Sequence, residues 1–521
     1  MTTAQVQMVD IRGKSLWQLI DERATLSPDV TMAEDEADRT MTFGEYRSWV
    51  LRVAAGLHHL GVREGTNVSW IQPSKFETLV LAGALAYLGA VQNPILPIYR
   101  HREVAFIARQ SACKIIIVPT VFRGFDYPPM VREATADLDV QVIAVERDLP
   151  EGDPAVLPPP ASNEGDSVRW LFYTSGTTAD PKGAKHTDST MSAANDGMQW
   201  AIECTSDDRT AVVFPITHVG GLIWLFNTMQ TAVRLVMVET FGPTTPKFLG
   251  DRGVTCAGAG TVFWLAYLNA QRALPEGTKL LPDVRLFNGG GAPKPDTLHY
   301  EMLEAFGAPV MSGWGLTESP INVMVSLTDT DERKATTEGR AVPGTLLRIV
   351  DVDGVELSAG LEGELRVKGP QVCKGYLDST LDVEGFDADG WFRTGDLGII
   401  DADGYVKITG RLKDIIIRKG ENISAAEIEN VLYTHPSIAD VAVIGVPDRD
   451  SGERCCAVVV LKPGTILGFK EMQDHLKKSS LAVYKIPEQI EFLDLLPRNA
   501  SGKILKKDLR ATFGGSPKVA L

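Results

Sequence analysis

Short apolar runs alternate with longer stretches of helical period across the first part of this chain, and that alternation predicts its architecture. The isoleucine- and valine-rich run at 114–118 has no polar residue between its apolar ones, as expected of a strand covered on both faces. Residues 41–46 read as a strand end passing into a helix that continues to 60. A strand is expected at 67–71, helices at 77–89 and 101–110, and a loop at 149–165, which carries five prolines. The pattern then resumes, with strands at 168–172, 211–214, 234–239, 254–257, 284–287 and 310–312. Helices are expected from 187, from the 215–222 turn through 231, and at 261–272. Such alternation predicts a parallel, doubly wound α/β sheet. The apolar run 79–91 is shorter than the roughly 20 residues that span a bilayer, so it reads as a buried helix and no transmembrane segment is expected.

Beyond 332 the texture becomes β-rich and turn-rich, with Gly375-Tyr376 and Arg393-Thr-Gly-Asp396 among its turns. After residues 410–414 the pattern changes again: a helix at 425–434, strands at 439–446 and 454–462, and a helix at 469–478. The fold class expected is α/β. A large N-terminal domain, 1–412, holds doubly wound sheets and a β-rich subdomain, and a small α+β C-terminal domain, 413–521, follows. A length of 521 residues agrees with several domain-sized units.

Net charge narrows the partners. At −15 the chain lacks the basic surface a nucleic acid calls for, so any phosphate must meet a local positive charge. The six cysteines show no C-x-x-C pair and no zinc spacing, and read as reduced thiols of a cytoplasmic protein. The N-terminus lacks a basic start followed by an apolar core, so no secretion signal is expected, and the C-terminus is not a peroxisomal address.

Candidate chemistry lies where strands end. The stretch Tyr173-Thr-Ser-Gly-Thr-Thr-Ala-Asp-Pro-Lys-Gly183 follows one apolar run and precedes an expected helix. Backbone N–H groups and the hydroxyls of Thr174, Ser175, Thr177 and Thr178 suit phosphoryl oxygens; Gly176 and Gly183 permit close approach, and Lys182 adds charge. The lysine precedes the second glycine, so this is not a Walker A loop. A polar surface turn has the same composition and stays open. Three more strand ends, before Pro215-Ile-Thr-His218, Asn288-Gly-Gly-Gly-Ala-Pro293 and Gly313-Trp-Gly-Leu-Thr-Glu318, open onto similar loops. In an open α/β sheet such ends line one crevice.

These blocks, with Arg393-Thr-Gly-Asp396, Gly410-Arg411 and Asn499-Ala-Ser-Gly-Lys503, resemble in type and order the signature of the adenylate-forming superfamily. That superfamily includes acyl-CoA synthetases, luciferases and peptide-synthetase adenylation domains, and the resemblance runs from about Met41 to Arg510. It implies that Thr174–Thr178 and Lys182 bind ATP phosphates, although Ala179 stands where the family usually has glycine. Gly289, Gly290, Gly291, Ala292 and Pro293 would lie against adenine. Trp314, between Gly313 and Gly315, stands in place of a stacking tyrosine. Thr317 would bond the α-phosphate and Glu318 would hold magnesium. Asp396 would accept the ribose hydroxyls and Arg411 would donate to sugar or phosphate. Lys503 would be the catalytic lysine, and Lys413 the hinge about which the C-terminal domain turns, bringing Lys419, Gly420 and Glu421 to a CoA channel.

In the same resemblance His218 gates the carboxylate pocket, whose walls would be Val219, Gly220, Gly221 and Trp224. Phe263 and Trp264 are expected to help enclose it. Pro215 and Ile216 stand where amino-acid-activating domains carry an aspartate, which counts against an ammonium-bearing substrate. The expectation is an ATP-dependent, AMP-forming carboxylate–CoA ligase acting with Mg2+ on a medium-chain or cyclic acid. Delivery to a carrier protein or another acceptor, or nucleotide binding without catalysis, are the rival readings. Whether the chain works alone or as a homodimer stays open.

Overall fold

The computed structural model describes residues 6–161, 165–174, 181–292, 294–418, 421–449, 451–479, 481–499 and 502–514. Two compact units divide the chain. The first comprises Met1–Gly291, Thr297–Leu346 and Val367–Phe392; the second comprises Ala292–Asp296, Leu347–Arg366 and Arg393–Leu521.

Two sheets build the first unit. The larger runs, edge to edge, through Arg340–Ala341, Ser319–Met324, Val310–Leu316, Leu286–Gly290, Cys256–Ala257, Arg209–Val212, Arg234–Met237, Thr31–Asp35 and Thr40–Thr42. Its central strands are parallel and its edge pairs antiparallel. The smaller sheet runs through Lys182–Thr187, Val168–Thr174, Val91–Pro94, Asn67–Trp70, Ile115–Pro119 and Gln141–Val145, with only the first pair antiparallel. The doubly wound expectation holds.

Alternation along single strands explains the layering. Ile115 and Ile117 face a core shared by both sheets, packed with the helices Leu16–Leu26, Phe43–His59, Phe76–Tyr87, Asp188–Ile202 and Val219–Thr231. Ile116 and Val118 face the opposite side, under the helices His101–Gln110 and Tyr127–Ala134. In the larger sheet Val212, Leu235 and Leu286 face the shared core, while Val213, Val236 and Phe287 face a third core capped by Thr261–Arg272 and Asp296–Phe306. Both faces of both sheets are therefore covered, which is why their strands read as continuous apolar runs. The helix Phe76–Tyr87 is buried as expected, and no helix among the described residues is long and apolar enough to cross a membrane.

The second unit holds most of the four-stranded sheet Leu346–Val350, Glu362–Lys368, Phe392–Ile400 and Val406–Arg411. It also holds a five-stranded sheet whose two faces carry separate cores. Ala425–Leu432 and Phe469–Lys478 cover one face, and Lys506–Phe513 covers the other.

Candidate active site

In the first unit the predicted phosphate loop differs from expectation. Strand Val168–Thr174 does not lead through it to a helix; it leads to a second strand, Lys182–Thr187, paired antiparallel with the first so that Lys182 faces Thr174 across the ladder. Only then does Thr187 cap the helix Asp188–Ile202, accepting the N–H of Thr190. The apolar run before the loop and the helix start near 187 were both legible, and the short polar strand between them was not. Thr174 and Lys182 are half-buried; Ser175, Gly176, Thr177 and Thr178 lie outside the described residues.

A second correction concerns residues 313–318, read as a loop that follows a strand ending at 312. Val310–Leu316 continues as a strand through Gly313, Trp314 and Gly315, and Thr317-Glu318 is the two-residue tip of a hairpin with Ser319–Met324. A β-carbon on Gly315 would lie 1.8 Å from the Pro320 carbonyl oxygen, so the register shift at this point admits only glycine. Trp314 is buried within the strand. Of the four strand ends expected on one crevice, three belong to the larger sheet, whereas Val168–Thr174 belongs to the smaller.

The hairpin tip is held from several sides. His186 Nε2 lies 2.9 Å from the Thr317 carbonyl oxygen, and its Nδ1 lies 2.9 Å from Thr190 Oγ1. The carbonyl can only accept, so Nε2 carries the hydrogen and Nδ1 accepts from the threonine hydroxyl. Complete burial pushes the His186 pKa down to about 4, which keeps the ring neutral. Cys373 N–H donates to the Glu318 carbonyl at 2.8 Å, and Tyr376 Oη–H donates to Glu318 Oε1 at 2.8 Å. Neither His186 nor Tyr376 was singled out in the sequence. His186 shares a strand face with Lys182 and Ala184 by the period of two, a signal visible only once that strand is known.

The glycine run 289–291 has mixed causes. β-Carbons on Gly289 and Gly290 would lie 2.5 Å from Ala259 backbone and 2.2 Å from the Gly313 carbonyl oxygen, so close strand packing by itself demands glycine at these two positions. Gly291, at φ +84°, has open space around its β position. Ala292 falls in the second unit, and Pro293 lies outside the described residues.

His218 is the N-cap of the helix Val219–Thr231: its Nδ1 accepts the Gly220 N–H at 3.1 Å, and Phe214 packs edge-on against its ring at 4.7 Å. Burial holds its pKa near 4, so the ring is neutral and Nε2 carries a hydrogen with no partner among the described residues. Gly220 has room, with nothing closer than 3.5 Å to an added β-carbon. Gly221 has none, because Pro215 O would lie at 2.5 Å. Val219 and Trp224 are buried. Trp224 belongs to the core between the sheets and Trp264 to the core on the far face of the larger sheet, so the expectation that they enclose one pocket fails.

In the second unit Asp396 and Arg411 are register partners of antiparallel strands, and Arg411 Nε lies 2.8 Å from Asp396 Oδ1. Asp396 is buried. The Lys503 N–H donates to Asn499 Oδ1, and the Lys503 carbonyl accepts from the Asn499 N–H. Burial, then the nearby Arg411, lower its pKa to about 7; Lys413 adds to the fall, while Asp396 and Asp414 oppose it. The structure thus brings Lys503, Asp396 and Arg411 into one electrostatic neighbourhood. Lys413 lies in the one-turn helix Leu412–Asp414. Lys419 and Gly420 are outside the described residues, as is the side chain of Glu421, which begins the strand Glu421–Ser424.

Two other features carry polar groups. A cavity of about 390 Å3, lined by Asp35, Arg39, Lys75, Glu146 and Glu239 among others, contains none of the expected site residues. All six cysteines are free and buried, and Cys204, Cys256 and Asp208 form a group of metal-donor type. Arg285 fills that place: its Nε and Nη2 bond the two Asp208 carboxylate oxygens at 2.7 and 2.8 Å, and Thr255 adds a third bond.

Comparison with known proteins decides the kinship. Residues 20–377 match the AMP-binding enzyme family, and residues 427–503 match the AMP-binding enzyme C-terminal domain. The chain belongs to the AMP-binding enzyme family. It is a member of the adenylate-forming superfamily, of the AMP-dependent acyl-CoA synthetase type. It is 33% identical to the long-chain-fatty-acid–CoA ligase FadD13 of Mycobacterium tuberculosis, over 96% of this chain and 99% of that one. It is 31% identical to the medium-chain fatty-acid–CoA ligase of Escherichia coli (strain K12), over 95% and 89%. Among solved structures it is similar to o-succinylbenzoate CoA synthetase (MenE) of Bacillus subtilis in complex with ATP and magnesium ion, with TM-score 0.82 and 28% identity over 95% of this chain and 99% of that chain.

Proposed function

We propose that this enzyme joins coenzyme A to a carboxylic acid with an uncharged apolar body, of medium chain length or cyclic, through an acyl-adenylate. The observation that carries the reading is the buried Lys503, whose charge is coupled electrostatically to the Asp396–Arg411 pair. A cation so placed suits the stabilisation of negative charge that develops around the α-phosphate.

The proton on Lys503 is easily lost before ATP binds, because its pKa lies near 7. Nucleotide phosphates brought close raise that pKa and hold the ammonium charged. A carboxylate oxygen then attacks the α-phosphorus, the α–β anhydride bond breaks, and pyrophosphate leaves with that bond's electron pair. In the second step the CoA sulfur attacks the acyl carbon, the acyl–O bond breaks, and AMP departs. Asp396 accepts the ribose hydroxyls, Lys182 faces phosphate, and the Thr317 hydroxyl bonds the α-phosphate. The neutral His218 offers its Nε2–H to the acid. The segment from Phe214 to Trp224 carries no fully charged side chain, which favours an apolar acyl group. We assign Lys413 as the pivot between the two steps.

Glu318 fits magnesium, since it is a buried carboxylate whose only described side-chain partner is a neutral phenol. Bound there with ATP, the ion would neutralise phosphate charge. A cytoplasmic location goes with this reading, as six free thiols suit a reducing compartment.

The experiment is a panel of acids scored for pyrophosphate release and thioester formation, with the parent and Lys503→Ala. The expected result is thioester formation by the parent on medium-chain or cyclic acids. The variant should make almost none from ATP while still converting supplied acyl-adenylate. Pyrophosphate without thioester on every acid would overturn the assignment of CoA as acceptor.

A further inference from the structure

One side chain touches both phosphate-handling elements of the first unit. Tyr376 is buried, and its hydroxyl donates to Glu318 Oε1 at 2.8 Å. The Lys182 ammonium, at the start of the strand leaving the phosphate loop, sits 5.4 Å from the centre of the Tyr376 ring. The ring has little freedom to move. It packs in a small core with Ala184, Cys373 and Phe392, and a β-carbon on Gly385 would lie 2.9 Å from it.

Its backbone is equally fixed. Tyr376 N–H donates to Asp382 Oδ1 at 2.7 Å, and Gly375 sits at φ +83°, in the left-handed region. The segment around it is stitched to the Lys182 strand. Lys374 N–H donates to the Lys185 carbonyl, Lys185 N–H to the Gly375 carbonyl, and Leu377 N–H to the Gly183 carbonyl, at 2.8–2.9 Å. A segment bonded to that strand on one side therefore presents a phenol to the hairpin tip on the other.

We propose that Tyr376 is a positioning residue that sets the Glu318 carboxylate for the metal and the Lys182 ammonium for the phosphates, joining the two through one rigid ring. The hydroxyl fixes Oε1 and thereby the rotamer, so that Oε2 is aimed without loss of side-chain entropy when a divalent ion arrives. The ring face attracts the ammonium and limits its wandering. The two functions sit on different parts of the side chain, so substitution separates them. Tyr376→Phe removes the hydroxyl and keeps the ring; Tyr376→Leu removes both.

This inference rests on the reading of Glu318 and Lys182 as ATP-binding groups, and the test separates the two claims. A non-hydrolysable ATP analogue is titrated by calorimetry with and without Mg2+, and thermal midpoints show that the variants are folded. In Tyr376→Phe the Mg2+ concentration that half-saturates the analogue complex should rise about tenfold, the usual loss when a residue supporting a metal ligand is removed. Affinity for the metal-free analogue should stay within about twofold, and kcat at saturating Mg2+ should hold. In Tyr376→Leu metal-free affinity should fall as well. An unchanged Mg2+ requirement in Tyr376→Phe, or an equal loss with and without Mg2+, overturns the positioning role while leaving the assignment of function intact. Failure of the parent itself to bind the analogue with Mg2+ overturns both.

Discussion

His186 Nε2 and the Thr317 carbonyl oxygen lie 2.9 Å apart, so a buried neutral imidazole holds the hairpin tip that carries Thr317 and Glu318. Its titration has a defined sign. Between pH 6.5, its ordinary value, and about 4, the unfolded chain takes a proton that the folded chain refuses. Stability therefore falls as pH falls through that window. From pH 7 to 5 this one group accounts for about 2 kcal/mol of lost stability, an upper estimate. His186→Gln keeps an N–H for the carbonyl and does not titrate. Urea midpoints at the two pH values should show its decline shallower by about that amount. The remainder would include His218, which behaves alike.

A pH profile tests Lys503. With a folded pKa near 7, the free enzyme loses its ammonium above neutrality, so kcat/KM for ATP should decline on the alkaline side of pH 7. The decline should be absent from kcat until higher pH, because bound phosphates raise the pKa. Lys503→Arg carries a guanidinium that stays charged and should flatten the alkaline limb, even if its overall rate is lower. A limb that survives in Lys503→Arg would assign the titration to another group.

Asp396 and Arg411 pull Lys503 in opposite directions, the carboxylate raising its pKa and the guanidinium lowering it. Asp396→Asn should therefore move the alkaline limb to lower pH, and Arg411→Gln should move it to higher pH. Asp396→Asn also turns the ion pair with Arg411 into a neutral-acceptor hydrogen bond, at a cost of about 1 kcal/mol in stability. It should raise KM for ATP by tenfold or more, since each lost charged hydrogen bond to ribose weakens binding by roughly that factor. Limbs that shift in the same direction in both variants would refute the electrostatic account.

The sequence made the sheets legible because their strands are apolar on both faces, as in Ile115–Val118, and the helices legible through their apolar period, as in Phe76–Tyr87. It concealed the strand Lys182–Thr187. Two lysines and a histidine among six residues do not look like a strand, and only pairing to Val168–Thr174 makes it one. The same concealment hid His186 and Tyr376, whose significance comes from contacts 131 and 58 residues away in the chain. Trp224 and Trp264 failed differently: aromatic character was evident, but which face of the sheet each covers depends on topology that composition does not carry.

Two adjacent glycines offer a separate test of where the acid lies. Gly221→Ala would press a methyl group to 2.5 Å from Pro215 O and 2.7 Å from the Ile216 Cα, displacing the turn that presents His218. It should destabilise by several kcal/mol, as overpacking against backbone does at roughly 1–3 kcal/mol or more. Gly220→Ala meets nothing nearer than 3.5 Å and removes a flexible residue from the first turn of Val219–Thr231, so it should stabilise by about 0.5 kcal/mol. Its methyl group would narrow the space beside His218. If this is the acyl pocket, kcat/KM should fall more for branched or cyclic acids than for short straight ones, with thermal stability unchanged or raised. An even effect across the panel would move the acyl pocket away from this helix, while leaving the adenylate chemistry at Lys503 untouched.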